Sequence, residues 1–298
     1  MKWQGVIPAI TTPFKPDLSV DADLLVKQVD ALVRAGCTGI VALGSLGEGG
    51  SLSFDEKKAV LRLCKEALAG RACLVAGVAA LTTAEAERLA ELGGEQGADG
   101  LMVLPPYVYK SDWPETRAYF EAVIAETALP CMLYNNPIAY GTDVLPEQVL
   151  ELAAALPNLQ AVKESSADVR RVTALRAILG DRLQFLVGVD DLIVEGIAAG
   201  AVGWIAGLAD ALPEESVRLF ELARAGKTAE ARALYDWFLP LLRLDTVPKF
   251  VQLIKLVQQE TGLGSETVRP PRLVLTGEER DATLALIRDA LARRPQLA

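Results

Sequence analysis

Eight short apolar runs set the strongest constraint on how this chain can fold. They are Gly5–Ile10, Gly39–Leu43, Cys73–Gly77, Gly100–Val103, Pro130–Tyr134, Leu159–Lys163, Leu183–Gly188 and Ala201–Ile205. Each is too short for a helix and is made mainly of β-branched and other apolar residues, as a strand covered on both faces is. Between them lie stretches with apolar residues three and four apart. In Asp21–Ala35, for example, Leu24, Leu25, Val29, Leu32 and Val33 share one face. Ser53-Phe-Asp-Glu56 reads as a capping box, and Thr82-Thr-Ala-Glu85 repeats the signal. Pro146 and Pro213 suit the first turns of two later helices. Alternation of this kind predicts successive βα units and a parallel sheet.

Eight such units fit a (β/α)8 TIM barrel, an α/β fold, over residues 1–225. A doubly wound sheet is the rival, but no GxGxxG follows the first run. Residues 226–298 read as an appended C-terminal helical subdomain, with helices over Ala229–Leu244, Val247–Thr261 and Gly277–Leu291. No Ser/Gly-rich linker sets them apart.

Composition then removes whole classes of chemistry. The chain holds no histidine, so Ser-His-Asp and Cys-His catalysis and His-ligated metals are excluded. No metal or organic cofactor is expected. The net charge is −9 with no Lys/Arg run, which argues against nucleic acid. No run approaches a membrane span, and the N-terminus lacks a signal-peptide pattern. Cys37, Cys64, Cys73 and Cys131 form no CxxC pair and read as ordinary core residues. A cytoplasmic protein is expected. Lys249 and the four tryptophans carry no functional pattern, and Trp204 could face either the site or the helix layer.

In a barrel the site lies where strands end and βα loops begin. Three strand ends carry candidates. Lys163 closes the sixth run, where desolvation would favour the neutral amine, a nucleophile toward a ketone. The plain alternative is a lysine paired with Glu164 or another acid. Tyr134 closes the fifth run and could shuttle protons, or could be a core tyrosine with its hydroxyl capped by backbone. The loop Gly44-Ser-Leu-Gly-Glu48 after the second run could cradle a carboxylate, or could be an ordinary tight turn.

These residues match a known pattern. The chain resembles the dihydrodipicolinate synthase / N-acetylneuraminate lyase family over essentially its whole length. The motifs that carry the resemblance are Gly5-Val-Ile-Pro-Ala-Ile-Thr-Thr-Pro-Phe14, Gly44-Ser-Leu-Gly-Glu48, Tyr134-Asn-Asn-Pro137, the strand ending in Lys163-Glu164, and Gly188-Val-Asp-Asp191. The resemblance implies a Schiff base between Lys163 and pyruvate or a related 2-oxo acid, with Tyr134 as proton shuttle. It implies that Ser45 and the backbone of Leu46 hold the substrate carboxylate, and that Gly188 and Ile205 line the floor. Tyr107 matches a tyrosine that in this family often reaches into a neighbouring subunit's site, which implies a homotetramer built as a dimer of dimers. Asp190 and Asp191 fall where sugar-acid members place contacts to the distal substrate.

Two departures bear on the reaction. The synthase resembled here carries a second threonine where this chain has Leu46, and an arginine where it has Ala139. Loss of such a charge-assisted anchor costs about 1.5–3 kcal/mol, so the synthase activity proper is disfavoured. The options left are aldol cleavage or condensation of a small 2-oxo acid, dehydration of a 2-keto-3-deoxy sugar acid, and dehydration with deamination of a hydroxypyrroline carboxylate. Gly207 lacks the hydroxyl that sialic-acid-type lyases carry there, so long amino sugars rank low. A barrel that binds a 2-oxo acid without catalysis is the competing class.

Overall fold

A computed structural model describes residues 1–107 and 109–297. Eight strands follow in order: β1 (Gly5–Val6), β2 (Gly39–Ala42), β3 (Cys73–Val78), β4 (Gly100–Val103), β5 (Cys131–Asn135), β6 (Leu159–Glu164), β7 (Gln184–Val187) and β8 (Gly203–Trp204). Every pair is parallel, in the order β1-β8-β7-β6-β5-β4-β3-β2. An isolated parallel bridge between Ala9 and Val41 brings the two ends together. Val41 N donates to Pro8 O at 2.7 Å and Ile10 N to Val41 O at 2.9 Å, closing the barrel.

The regular part of β1 is shorter than the apolar run because Pro8 has no N–H to offer a ladder. Pairing nonetheless continues on either side of it, from Ile7 N to Trp204 O and from Ala9 N to Ala206 O, both 2.8 Å.

Helices α1 (Ala22–Arg34), α2 (Phe54–Leu68), α3 (Thr83–Glu95), α4 (Trp113–Ala125), α5 (Pro137–Tyr140), α6 (Pro146–Ala155), α7 (Arg170–Leu179), α8 (Ile193–Ala198) and α9 (Pro213–Arg224) alternate with the strands. The expected caps are present. Ser53 and Glu56 form the reciprocal box on α2, Thr82 caps α3 through Glu85 N, and Pro146 and Pro213 open α6 and α9. α1 buries Leu25, Val29 and Leu32 almost completely. Each such side chain contributes about 1.5–3 kcal/mol relative to an exposed one.

Two cores result. The larger fills the space between sheet and helices. The smaller lines the barrel interior with Trp3, Ile7, Val41, Val75, Met102, Met132, Ala161, Leu186 and Ile205. Trp204 belongs to the outer core, which settles its direction.

After the barrel come α10 (Thr228–Leu242), α11 (Phe250–Thr261) and α12 (Gly277–Ala292). α10 packs on α9, while α12 packs on α10 and α11. A short 3-10 turn, Arg243–Asp245, links α10 toward α11. No described helix is long and apolar enough to cross a membrane. The four cysteines are unpaired, and Lys249 forms a surface ion pair with Glu279 at 2.5 Å.

Candidate active site at the barrel mouth

Residues alternate between the inside and outside of a barrel strand. On β6 this turns Ala161 and Lys163 inward and Val162 outward. Register then places Lys163 beside Tyr134 on β5 and Leu186 on β7. Lys163 is only 6% exposed, and its Nζ lies 3.9 Å from the centroid of the Tyr134 ring. Glu164 points the other way, accepting from Asn135 Nδ2 at 3.1 Å and Ser166 N at 2.7 Å. The pairing of Lys163 with Glu164, considered from sequence, is therefore absent. Among the described residues nothing accepts a hydrogen bond from Lys163. Burial lowers its pKa, opposed by the charges of Tyr140, Asp245 and Asp190.

The lysine lies across Gly188. A Cβ at that position would come within 2.1 Å of Ser165 Oγ and 2.4 Å of Lys163 Cε. Only glycine leaves room there for the lysine stem.

Tyr134 is also 6% exposed. Its hydroxyl accepts from Asn136 Nδ2 at 3.0 Å, not from backbone. Burial raises its pKa and keeps the phenol protonated at neutral pH.

The Gly44–Glu48 loop is bent by two residues in the left-handed region, Leu43 at φ 66° and Glu48 at φ 52°. Such conformations cost about 1–3 kcal/mol and persist where surrounding structure enforces them. Here Gly49 sits so close to Leu43 O that an added Cβ would lie 2.1 Å away. The N–H groups of Ser45, Leu46 and Gly47 reach no backbone carbonyl among the described residues. Convergent free N–H groups are what an anion requires. Leu46 turns its side chain into the core at 3% exposure, so only its backbone is available at the loop.

Tyr140 was missed by sequence reasoning, although it lies in the same loop as Tyr134. The short helix α5, opened by Pro137 and capped by Asn136, returns its ring into the mouth. Its hydroxyl shares a short hydrogen bond with Ser45 Oγ. Its ring meets Tyr134 edge-on at 5.6 Å between centroids and Tyr107 at 6.1 Å. Tyr107, half-buried, thus stands beside the site of its own chain. Burial raises the pKa of both Tyr107 and Tyr140.

Asp190, which the resemblance implies near the distal substrate, is fully buried. Its carboxylate accepts from Trp204 Nε1 at 2.9 Å, Gly207 N at 3.1 Å and Leu208 N at 2.7 Å. Those donors leave it holding the loop after β8. Asp191 is partly exposed and faces Arg243 Nε at 3.4 Å, while its carbonyl accepts from Tyr235. Ile205, 1% exposed, lies in the interior core below the mouth.

Asp245 is the second group that the sequence did not reveal. It comes from the turn after α10 and lies against Gly207. No local pattern marks it, because only the packing of the C-terminal helices brings it to the barrel. Among the described residues no group of three His, Cys, Asp or Glu side chains is placed to hold a metal ion.

The profile of the Dihydrodipicolinate synthetase family matches residues 2–290. A 4-hydroxy-tetrahydrodipicolinate synthase of Xanthomonas axonopodis pv. citri is 35% identical, covering 98% of this chain and 96% of that one. A putative dihydrodipicolinate synthetase of Pseudomonas aeruginosa superposes with a TM-score of 0.92 at 31% identity, covering 97% of this chain and all of its own. YagE, a prophage protein of E. coli K12 from the same family solved in complex with pyruvate, gives 0.91 at 28% identity, covering 98% and 99%.

Proposed function

Because the chain belongs to the dihydrodipicolinate synthetase family and is a lyase of aldolase type, we propose that its barrel mouth binds a small 2-oxo acid as a Schiff base on Lys163. The observation that carries this reading is the state of that lysine. It is buried at a strand end, without an acceptor, on the face of Tyr134. A desolvated amine gives up its proton more readily, and the free amine is the nucleophile.

The carboxylate of the acid would sit on the N–H groups of Ser45 and Leu46, with the Ser45 hydroxyl beside them. Lys163 Nζ would attack the ketone carbon to give a carbinolamine. Loss of water, with a proton from Tyr134, would give the iminium. Removal of a proton from the adjacent carbon would then give the enamine. That species can form or break a carbon–carbon bond, or expel a hydroxyl from the next carbon as water. Tyr140 stands between Ser45 and Tyr134. It supplies a hydroxyl where Leu46 offers none, and we assign it the proton relay between loop and lysine. Tyr107, packed on Tyr140, extends that row of phenols.

The Xanthomonas relative is a 4-hydroxy-tetrahydrodipicolinate synthase. This chain carries Ala139, with no cation, in the loop after β5. That favours cleavage, dehydration or dehydration with deamination of a hydroxylated substrate over the synthase reaction. A homotetramer in a cytoplasmic setting fits this reading.

The test is intact mass after borohydride treatment with pyruvate and with other 2-oxo acids, followed by peptide mapping. A stable adduct on Lys163 is expected. An adduct on another lysine, or none on folded protein, would overturn the assignment.

A further inference from the structure

The mouth of this barrel is not closed by barrel residues alone. The turn Arg243–Asp245 lowers Asp245 onto the end of β8. A Cβ at Gly207 would lie 2.1 Å from Asp245 Oδ1 and 3.0 Å from Oδ2. The carboxylate therefore lies flat against the glycine, in space that any other residue at 207 would fill. The bare Gly207 makes sense as the counterpart of an aspartate from another part of the chain.

Asp245 is half-buried, and no hydrogen bond or ion pair engages it among the described residues. Its nearest cation in sequence, Arg243, turns to Asp191 instead. Through Gly207, just past the end of β8, it stands on the same rim of the barrel as Lys163 and Tyr134 at the ends of β6 and β5. A half-buried carboxylate that meets no donor among the described residues, on the same rim as a nucleophilic amine, is placed to meet a donor on a ligand.

The geometry points to Asp245 as the specificity-determining residue for the distal end of the substrate. It would accept from a hydroxyl or protonated amine on the carbon beyond the enamine, and would repel a second carboxylate. This rests on the imine reading above and narrows it to 2-oxo acids bearing a distal hydrogen-bond donor. The loop after β5 agrees, since Ala139 and Tyr140 bring no cation to receive a distal anion.

The experiment needs no turnover. Borohydride-trapped adduct on Lys163 is measured at increasing concentrations of pyruvate, 4-hydroxy-2-oxobutanoate and 2-oxoglutarate. Each half-saturation point is divided by that of pyruvate in the same variant, which cancels any effect of Asp245 on the amine itself. The native protein should capture the hydroxy acid at about tenfold lower concentration than pyruvate, and 2-oxoglutarate at about tenfold higher. Asp245→Ala should erase the hydroxy-acid advantage. Asp245→Asn, nearly isosteric, should relieve the 2-oxoglutarate penalty, and Gly207→Ala should shift both ratios by displacing the carboxylate. Unchanged ratios in Asp245→Asn and Asp245→Ala, with pyruvate still captured, would overturn this inference alone. Failure of the native protein to capture pyruvate would overturn the imine reading and this inference with it.

Discussion

Two of the buried lysines in this molecule, Lys163 and Lys255, have opposite surroundings. Lys255, on α11, is 0% exposed. Its Nζ donates to Thr12 O and Thr267 O, both at 2.8 Å, and to Glu48 Oε1 at 2.6 Å. Lys163 is nearly as buried and has no acceptor at all among the described residues. Burial lowers the pKa of both, that of Lys255 to about 8. Desolvation alone therefore does not separate a structural lysine from a reactive one. The difference lies in the three acceptors around Lys255 and the open mouth above Lys163. An ammonium has three protons to place, and only Lys255 places all of them within the protein.

The two carboxylates nearest the mouth repeat the contrast. Asp190 has its oxygens filled by an indole and two backbone donors. Asp245 has none. Groups with complete hydrogen bonding hold loops, and groups left incomplete face the place where a ligand would come.

Removing the amine should produce the largest effect. Lys163→Ala is expected to lower turnover by about a thousandfold or more and to abolish borohydride capture, with the thermal transition unchanged or raised. Lys163 also sets a pH dependence. Its folded-state pKa lies below its unfolded value, so the folded state holds fewer protons between the two. Stability should rise with pH across that window, below about 10.4. Lys163→Met should be most stabilising on the acid side of the window, and its gain should shrink as pH rises through it. Chemical denaturation at several pH values measures this, and a gain that grew with pH would contradict a lowered pKa.

The converse change tests the other lysine. Lys255→Ala leaves Glu48 buried without its partner and should cost about 3–5 kcal/mol, read from urea denaturation. The protein that remains folded should still form the Lys163 adduct. Loss of capture without loss of stability would mean that Lys255 takes part in the chemistry and that the comparison is wrong.

The fold was legible in the sequence because its signals are local and repeated. Strand periodicity, the Ser53 cap and the first-turn prolines each act within a few residues. The lysine, Tyr134 and the Gly44–Glu48 loop were legible for a related reason, since a parallel barrel brings all strand ends to one mouth. Asp245 was not, because its position depends on how α10 and α11 dock. Tyr140 needed the short turn of α5 to aim it, and apolar spacing carries no information about that. The surroundings of Asp190 were not legible either, because sequence shows that a carboxylate follows β7 but not which donors surround it.

A smaller effect should come from crowding the lysine stem. Gly188→Ala would push a methyl group into Lys163 Cε and Ser165 Oγ. A displacement of about 1 Å costs on the order of a hundredfold in rate. The rate of pyruvate capture should fall by that order, while peptide mapping still finds the adduct on Lys163. An unchanged rate would mean that the lysine does not depend on the floor beneath it.

The weakest effect separates the two carboxylates. Asp190→Asn keeps one acceptor oxygen and should cost about 1–3 kcal/mol of stability at neutral pH, without changing the relative capture of 2-oxo acids. The pH response gives a second reading. Burial raises the Asp190 pKa to about 6 in the folded state, above the unfolded value of about 3.9. The folded state thus holds the extra proton between those values. The contribution of this residue is fullest below pH ~3.9 and is lost as pH rises through about 6. Asp190→Asn should flatten stability across that window, as measured by denaturation between pH 4 and 7. Asp245→Asn should instead move substrate preference and leave the neutral-pH transition unchanged or raised, because its carboxylate accepts from no part of the fold among the described residues and the change removes a desolvated acid. If Asp190→Asn moved preference and Asp245→Asn lowered stability, the rule drawn from the two lysines would not extend to the acids.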